Sequence, residues 1–222
     1  EQAVPSINSS PFISKNNNAD RRLRFTTNLA ANQQNLLDSF KVNFDQPLRS
    51  LDTTKMTLST DSVFTKALYR LALDSAKKQL TLYTVWKPGT KYNLVLDKDF
   101  AEDTLGRKLL KTDTLFFTTK KGTDYGALNI RIHNADTAQH PVLQFIQNEV
   151  VVFAAPLING RVAQTLFLPG DYDLRILYDR NRNGKWDAGQ FFGQRLQPEM
   201  VRPISRKITV KAASDNDFDL AL

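Results

Sequence analysis

Apolar and polar side chains alternate along much of this chain, and the alternation comes in strand-sized pieces. Residues 40–44 set the pattern, with Phe40, Val42 and Phe44 on one side and Lys41 and Asn43 on the other. A period of two is the mark of a half-buried strand. Asp45, Gln46 and Pro47 then break it as a turn. Short apolar runs follow at 55–58, 68–73, 80–85, 92–96 and 115–119. Polar turns at 74–78, at Pro88 and Gly89, and at 103–106 divide them. No long stripe of period 3.6 appears, so the pattern predicts a β-sandwich.

A polar stretch of Lys120, Lys121, Gly122, Thr123 and Asp124 marks a boundary, and the rhythm then restarts. Strands are expected at 126–132, at 142–146 and 150–153 around Asn148 and Glu149, at 162–168, at 170–178, at 207–210 and at 218–220. Asn159 and Gly160 are a two-residue hairpin signal. Pro88 with Gly89 and Pro169 with Gly170 each precede a strand carrying an alternating Tyr and Leu. The chain is therefore expected to be all-β, with two tandem β-sandwich domains at 21–122 and 124–222. Residues 1–20, poor in apolar side chains and rich in Asn and Ser, read as a linker or a leading strand.

Composition bounds the chemistry. The chain has 222 residues, 41% of them hydrophobic, with 14 Phe, 6 Tyr and 2 Trp, enough for two real cores. It has no cysteine, so thiolate chemistry and disulfides are excluded. No apolar run reaches the roughly 18 residues of a membrane-spanning helix. Any signal or lipid anchor would lie upstream of this sequence. The net charge is +7. The cations are scattered, at Arg21, Arg22 and Arg24, Lys77 and Lys78, Arg107 and Lys108, and Lys120 and Lys121. That spread suits solvated strand faces and guarded sheet edges, and nucleic acid is not expected as a partner.

One segment suggests specific chemistry. Asp179, Asn181, Asn183 and Asp187 fall at loop positions 1, 3, 5 and 9, with Gly184 at position 6. This is the ligand rhythm of a calcium loop, mounted after a strand. With the Lys185 carbonyl, five oxygens are in reach. Position 12 holds Gln190, which offers one neutral oxygen where helical loops place a bidentate acid. Arg180, Arg182 and Lys185 add positive charge. Calcium, if bound there, is expected to bind weakly, at about 10⁻⁴–10⁻³ M. The competing reading is a metal-free turn closed by Asx side chains, with Gly184 at positive φ.

Other candidates are weaker. Trp186, Phe191 and Phe192 follow the loop; they are expected to cap a sandwich edge, with a stacking platform for sugars as the alternative. Asp97, Asp99, Glu102 and Asp103 crowd one stretch, read as a solvated loop in preference to a glycosidase pair. His133 and His140 fit no zinc spacing. No serine lies in a nucleophile elbow, and no glycine-rich phosphate loop is present. No catalytic constellation is expected.

Residues 20–122 resemble the bacterial Ig-like domain first recognised in S-layer proteins. The resemblance rests on Phe40 to Leu48, Pro88 to Leu94, Asp103 to Gly106 and Leu115 to Thr119. Residues 126–222 resemble the C-terminal part of Ig-like envelope proteins common in the Bacteroidota, through Pro169 to Arg175, Asp179 to Gly189, and Gln197, Pro198 and Glu199. Similar Asp/Asn loops in staphylococcal adhesin B-repeats indicate that a β-module can host calcium. The resemblance implies tandem Ig-like/Greek-key sandwiches, the second prealbumin-like, in an outer-membrane-associated lipoprotein on the periplasmic or surface face. A non-enzymatic cell-envelope spacer or interaction module is expected, and calcium, if it binds, would stabilise it at Asp179, Asn181, Asn183, Lys185, Asp187 and Gln190. Its partners would be other envelope or surface proteins, with a glycan as a further candidate and the membrane reached only through the upstream anchor. The alternative is a carbohydrate-binding or carbohydrate-processing accessory.

Overall fold

A computed structural model of the chain describes residues 22–60, 64–190, 192–193 and 195–222. The expectation for residues 1–20 lies outside them. The described residues form strands, turns and three short 3₁₀ segments, with no α-helix among them.

The first half holds β1 (Phe25–Thr27), β2 (Gln33–Gln34), β3 (Phe40–Phe44), β4 (Leu48–Leu51), β5 (Met56–Thr60), β6 (Thr65–Lys66), β7 (Arg70–Leu73), β8 (Gln79–Tyr83), β9 (Lys91–Leu96), β10 (Ala101–Asp103) and β11 (Asp113–Thr119). One sheet runs β1-β3-β8-β7 and another β2-β11-β9-β5-β6, while β4 pairs with β10. Phe40, Val42 and Phe44 meet Leu58, Leu94 and Phe117 from the other sheet in one core. Phe40 stacks on Phe117 at 5.3 Å between ring centroids. The Trp86 ring stands edge-on to Tyr92 at 5.0 Å, and its indole N–H donates to the Asp38 carbonyl at 2.9 Å. Such ring pairs add about 0.5–1.5 kcal/mol beyond the area they bury.

The second half holds β12 (Gly126–His133), β13 (Pro141–Gln147), β14 (Val150–Pro156), β15 (Arg161–Phe167), β16 (Gly170–Tyr178), β17 (Val201–Val210) and β18 (Asp215–Ala221). Its sheets run β15-β12-β18 and β14-β13-β16-β17. Leu128, Ile130 and Ile132 of the first face Leu143, Phe145, Leu174 and Ile176 of the second across a separate core. The chain is thus all-β and built as sandwiches. Asn159 and Gly160 take the two left-handed positions of the hairpin turn, at φ of 50° and 73°. In the pairing of β12 with β18 the strands are parallel, and Ala127 to His133 lie opposite Asp215 to Ala221.

The pattern does not predict β1, β2 or β6, which have two or three residues each, and three further elements depart from it. β4 and β10 carry too few apolar residues to register as strands. β17 begins at Val201, six residues before the expected 207, because Arg202, Pro203, Ser205 and Arg206 hide its alternation. It is an edge strand, where proline is tolerated. Ile204 and Ile208 still reach the core.

Only residues 120–125 separate β11 from β12. The Lys121 N–H donates to the Asp124 carboxylate at 2.8 Å, closing a 3₁₀ turn over Gly122–Asp124. Tyr125 is buried and touches both halves. Its hydroxyl donates to Asn35 Oδ1 and accepts the Leu36 N–H at 2.8 Å in the first sandwich. Its carbonyl accepts the Ala213 N–H at 2.8 Å in the second. A Cβ on Gly126 would lie 2.3 Å from the Lys211 carbonyl oxygen and 2.5 Å from Asn216 Nδ2, so no larger residue fits there.

Candidate metal-binding loop

β16 delivers Asp179 to the rim of the second sandwich, where only 2% of it is exposed. A carboxylate buried there must be hydrogen-bonded. Its Oδ1 accepts the Asn183 N–H at 3.2 Å and its Oδ2 the Gly184 N–H at 2.6 Å. Asn181 Oδ1 accepts the Asn183 N–H at 3.0 Å, and Asn183 Oδ1 accepts the Lys185 N–H at 2.7 Å. These are Asx turns, in which a side-chain oxygen binds the backbone two residues on. Gly184 sits at φ of 75° and makes the bend without strain.

The amide groups left over close the loop. Asn181 Nδ2 and Asn183 Nδ2 both donate to Asp187 Oδ2, at 2.7 and 2.9 Å. With each amide oxygen already on a backbone N–H, flipping either group would set donor against donor. Gln190 donates its N–H to the Leu196 carbonyl at 2.9 Å. Asn181, Asp187 and Gln190, with Arg180, Leu196 and Glu199, line a cavity of about 400 Å³. Lys185 is exposed.

Glu199, which the loop spacing does not reach, is the anchor of the assembly. It is buried, accepts the Arg180 N–H at 2.8 Å and accepts the Asp187 N–H at 3.1 Å. Its own N–H donates to the Asp187 carbonyl at 3.0 Å, and its carbonyl accepts the Trp186 indole N–H at 2.9 Å. Its only sequence signal is its place in the Gln197, Pro198, Glu199 run of the resemblance. The Arg180 guanidinium bonds the Gln197 carbonyl. Arg182 Nη2 lies 2.8 Å from His140 Nε2, within hydrogen-bond reach.

Donor chemistry here suits a hard cation, since three carboxylates and two amides border one loop. Among the described residues, however, no three acidic, histidine or cysteine side chains converge into a metal-sized group. Two NH₂ groups stand at Asp187 where a cation would bind. Calcium would have to turn both amides, so the hydrogen-bonded and loaded loops exclude one another.

The other candidates resolve differently. Trp186 does not fold back as a cap; it is 50% exposed. Phe192 is 85% exposed, and Phe191 lies outside the described residues. The acidic stretch is not a solvated loop throughout, because Asp103 is buried. Burial alone would push its carboxyl up. The Arg107 backbone N–H, the Arg107 guanidinium at 2.6 Å and the Leu105 N–H outweigh that and hold it below the ordinary range. Glu102 pairs with Arg49 at 3.1 Å and Asp99 with Lys108 at 3.2 Å. The Lys108 contact, as a hydrogen bond first and a charge second, lowers the Asp99 carboxyl despite its desolvation. His133 pairs with Asp219, on the parallel neighbour β18.

No family model matches the chain, and no curated protein sequence matches it. Among solved structures, the fold is similar to a fragment of Escherichia coli alpha-2-macroglobulin spanning domains MG0-NIE-MG1. That match has 12% identity over 83% of this chain and 72% of the fragment, at a TM-score of 0.39. It is similar to the S-layer protein SbsC, with 18% identity over 64% of this chain and 22% of that one, at a TM-score of 0.34. It is similar to the major pilin subunit of Bacillus cereus, with 10% identity over 90% and 69% of the two chains, at a TM-score of 0.28. At such values the likeness is to β-rich modules in general and assigns no activity.

Proposed function

We propose that the chain is a non-enzymatic module of a bacterial cell-envelope protein, a rigid spacer whose second sandwich carries a calcium-responsive loop. The observation that supports this most is the junction at Tyr125. A six-residue connector and a buried tyrosine bonded to both halves tie two separate cores together. Such a junction suits holding other envelope components at a set distance. Three of the four clustered carboxylates, Glu102, Asp103 and Asp99, are paired with Arg49, Arg107 and Lys108.

The absence of cysteine makes the test clean. Cysteines placed at exposed Ser50 and Ser205 give one spin label per sandwich. Double electron–electron resonance should return one narrow distance distribution, broadened by Tyr125→Ala. A broad distribution in the parent pair would sink the spacer reading.

A carbohydrate-binding role draws support from one observation, the half-exposed Trp186 ring fixed by its bond to Glu199. A glycan array with Trp186→Ala as control tests it; binding that survives the substitution removes Trp186 from the argument.

A further inference from the structure

The excursion between β16 and β17 sorts its side chains by charge. Its three acids are drawn inward or tied up. Asp179 and Glu199 are buried on backbone N–H groups, and Asp187 is half-buried under two asparagine amides. Its cations Arg180, Arg182, Lys185 and Arg195 are all exposed. The excursion also exposes four large apolar side chains, Trp186, Phe192, Leu196 and Met200. Scattered exposed hydrophobics are ordinary, but several in one short excursion are not.

The geometry gathers them. Gln190 bridges Leu196 antiparallel, so the segment doubles back as a hairpin with Phe192 and Gly193 towards its tip. The Trp186 indole bonds the Glu199 carbonyl, which sets that ring beside the residue preceding Met200. The Arg180 guanidinium bonds the Gln197 carbonyl in the returning arm. Among the described residues of the excursion, the exposed charged side chains are thus all cations, beside four exposed apolar side chains.

We infer that this hairpin is a docking surface for an anionic phospholipid bilayer, with Phe192 and Trp186 entering the headgroup region and Arg180, Arg182, Lys185 and Arg195 facing lipid phosphates. An indole such as Trp186 favours that depth because it joins an apolar ring to a polar N–H, while the wholly apolar Phe192 ring gains by leaving water. Each cation near an anionic surface strengthens binding by about fivefold. A protein partner would need matching acids and a shaped pocket, whereas a bilayer needs only this charge and these rings. The surface stands whether or not the adjoining loop takes calcium.

The test uses the whole chain with vesicles of phosphatidylcholine containing about one third phosphatidylglycerol, in EDTA. The protein should co-sediment with them and not with phosphatidylcholine alone. Emission should shift to the blue, because Trp86 is already buried and Trp186 is the indole that changes surroundings. Phe192→Ser should weaken binding roughly tenfold, and Lys185→Glu with Arg195→Glu by more. Both changes lie at exposed positions, so an unaltered circular dichroism spectrum checks the fold. No sedimentation would overturn the proposal. Sedimentation with no emission shift, unaffected by Phe192→Ser, would also overturn it, leaving attraction by the net charge of the whole chain. Binding to a glycan that needs Trp186, without vesicle binding, would assign the surface to sugar instead.

Discussion

At the scale of single residues, buried carboxylates hold the turns. Asp103 is the clearest case, with its pKa depressed by Arg107 and two backbone N–H groups. A depressed folded pKa adds stability that is full above the ordinary value of 3.8 and is lost as pH falls through the depressed one. Asp103→Asn should therefore cost about 1–3 kcal/mol at pH 7 and cost less as acid protonates the parent. Urea titrations at pH 7 and pH 3 measure the difference; an equal loss at both would refute the assignment. In the 179–187 loop, calcium at tenfold excess over Kd would add roughly 1.4 kcal/mol. That shifts the midpoint of a ~100-residue domain by roughly 4–8 °C. Differential scanning in millimolar calcium against EDTA should show the shift, and Asp187→Ala should abolish it. An unchanged midpoint leaves the Asx-closed turn as the whole account. The spacing of Asp179, Asn181, Asn183 and Gly184 made this bend legible, because Asx turns are local chemistry. Glu199 was not legible, since its role depends on a chain that doubles back from twelve residues beyond Asp187.

Among the strands, edges are managed in two ways. β15 carries Arg161, β17 carries Arg202, Arg206 and Lys207, and β18 carries Asp215, Asp217 and Asp219. Charges of this kind discourage strand addition from another molecule. β14 carries none. Its Val150, Val151 and Val152 are exposed, on an edge. The register with β13 slips there, pairing Phe145 with Phe153 but Ile146 with Val151, so Val152 is left over as a bulge. Bulges twist an edge away from partners. Deleting Val152 should restore a flat edge and drive association, visible by light scattering in a dilution series, and Val151→Lys added to the deletion should reverse it. A deletion variant that stays monomeric would mean the bulge guards nothing. Alternation revealed β3, β12 and β16 because one face of each is core. It missed β1, β2 and β6, which are too short to alternate, and β4, β10 and the first half of β17, where charge and a proline replace the pattern.

Over the whole molecule, two cores are joined by one buried tyrosine. Tyr125→Phe would leave the Leu36 N–H without its acceptor and Asn35 Oδ1 with only the Leu37 N–H, at a cost of about 1–2 kcal/mol. Gly126→Ala would push a methyl into the Lys211 carbonyl, at about 1–3 kcal/mol. Both should split one unfolding transition towards two, as seen by calorimetry; a single sharp transition in each variant would show that the halves are coupled elsewhere. The polar run at 120–124 pointed to a change of module in the sequence. It did not announce a fixed joint, because the residues that lock it, Asn35, Leu36 and Ala213, are far away along the chain.

The parallel pairing of β12 with β18 has a mechanical meaning. Tension between the first sandwich and Leu222 would enter at Gly126, the start of β12, and leave at Ala221, the end of β18. The two strands would be pulled along their axes in opposite senses. Their inter-strand bonds from Ala127 to His133 would then be sheared together instead of opened one after another. A module loaded in that direction resists extension as a clasp does, and yields only when the whole seam slides.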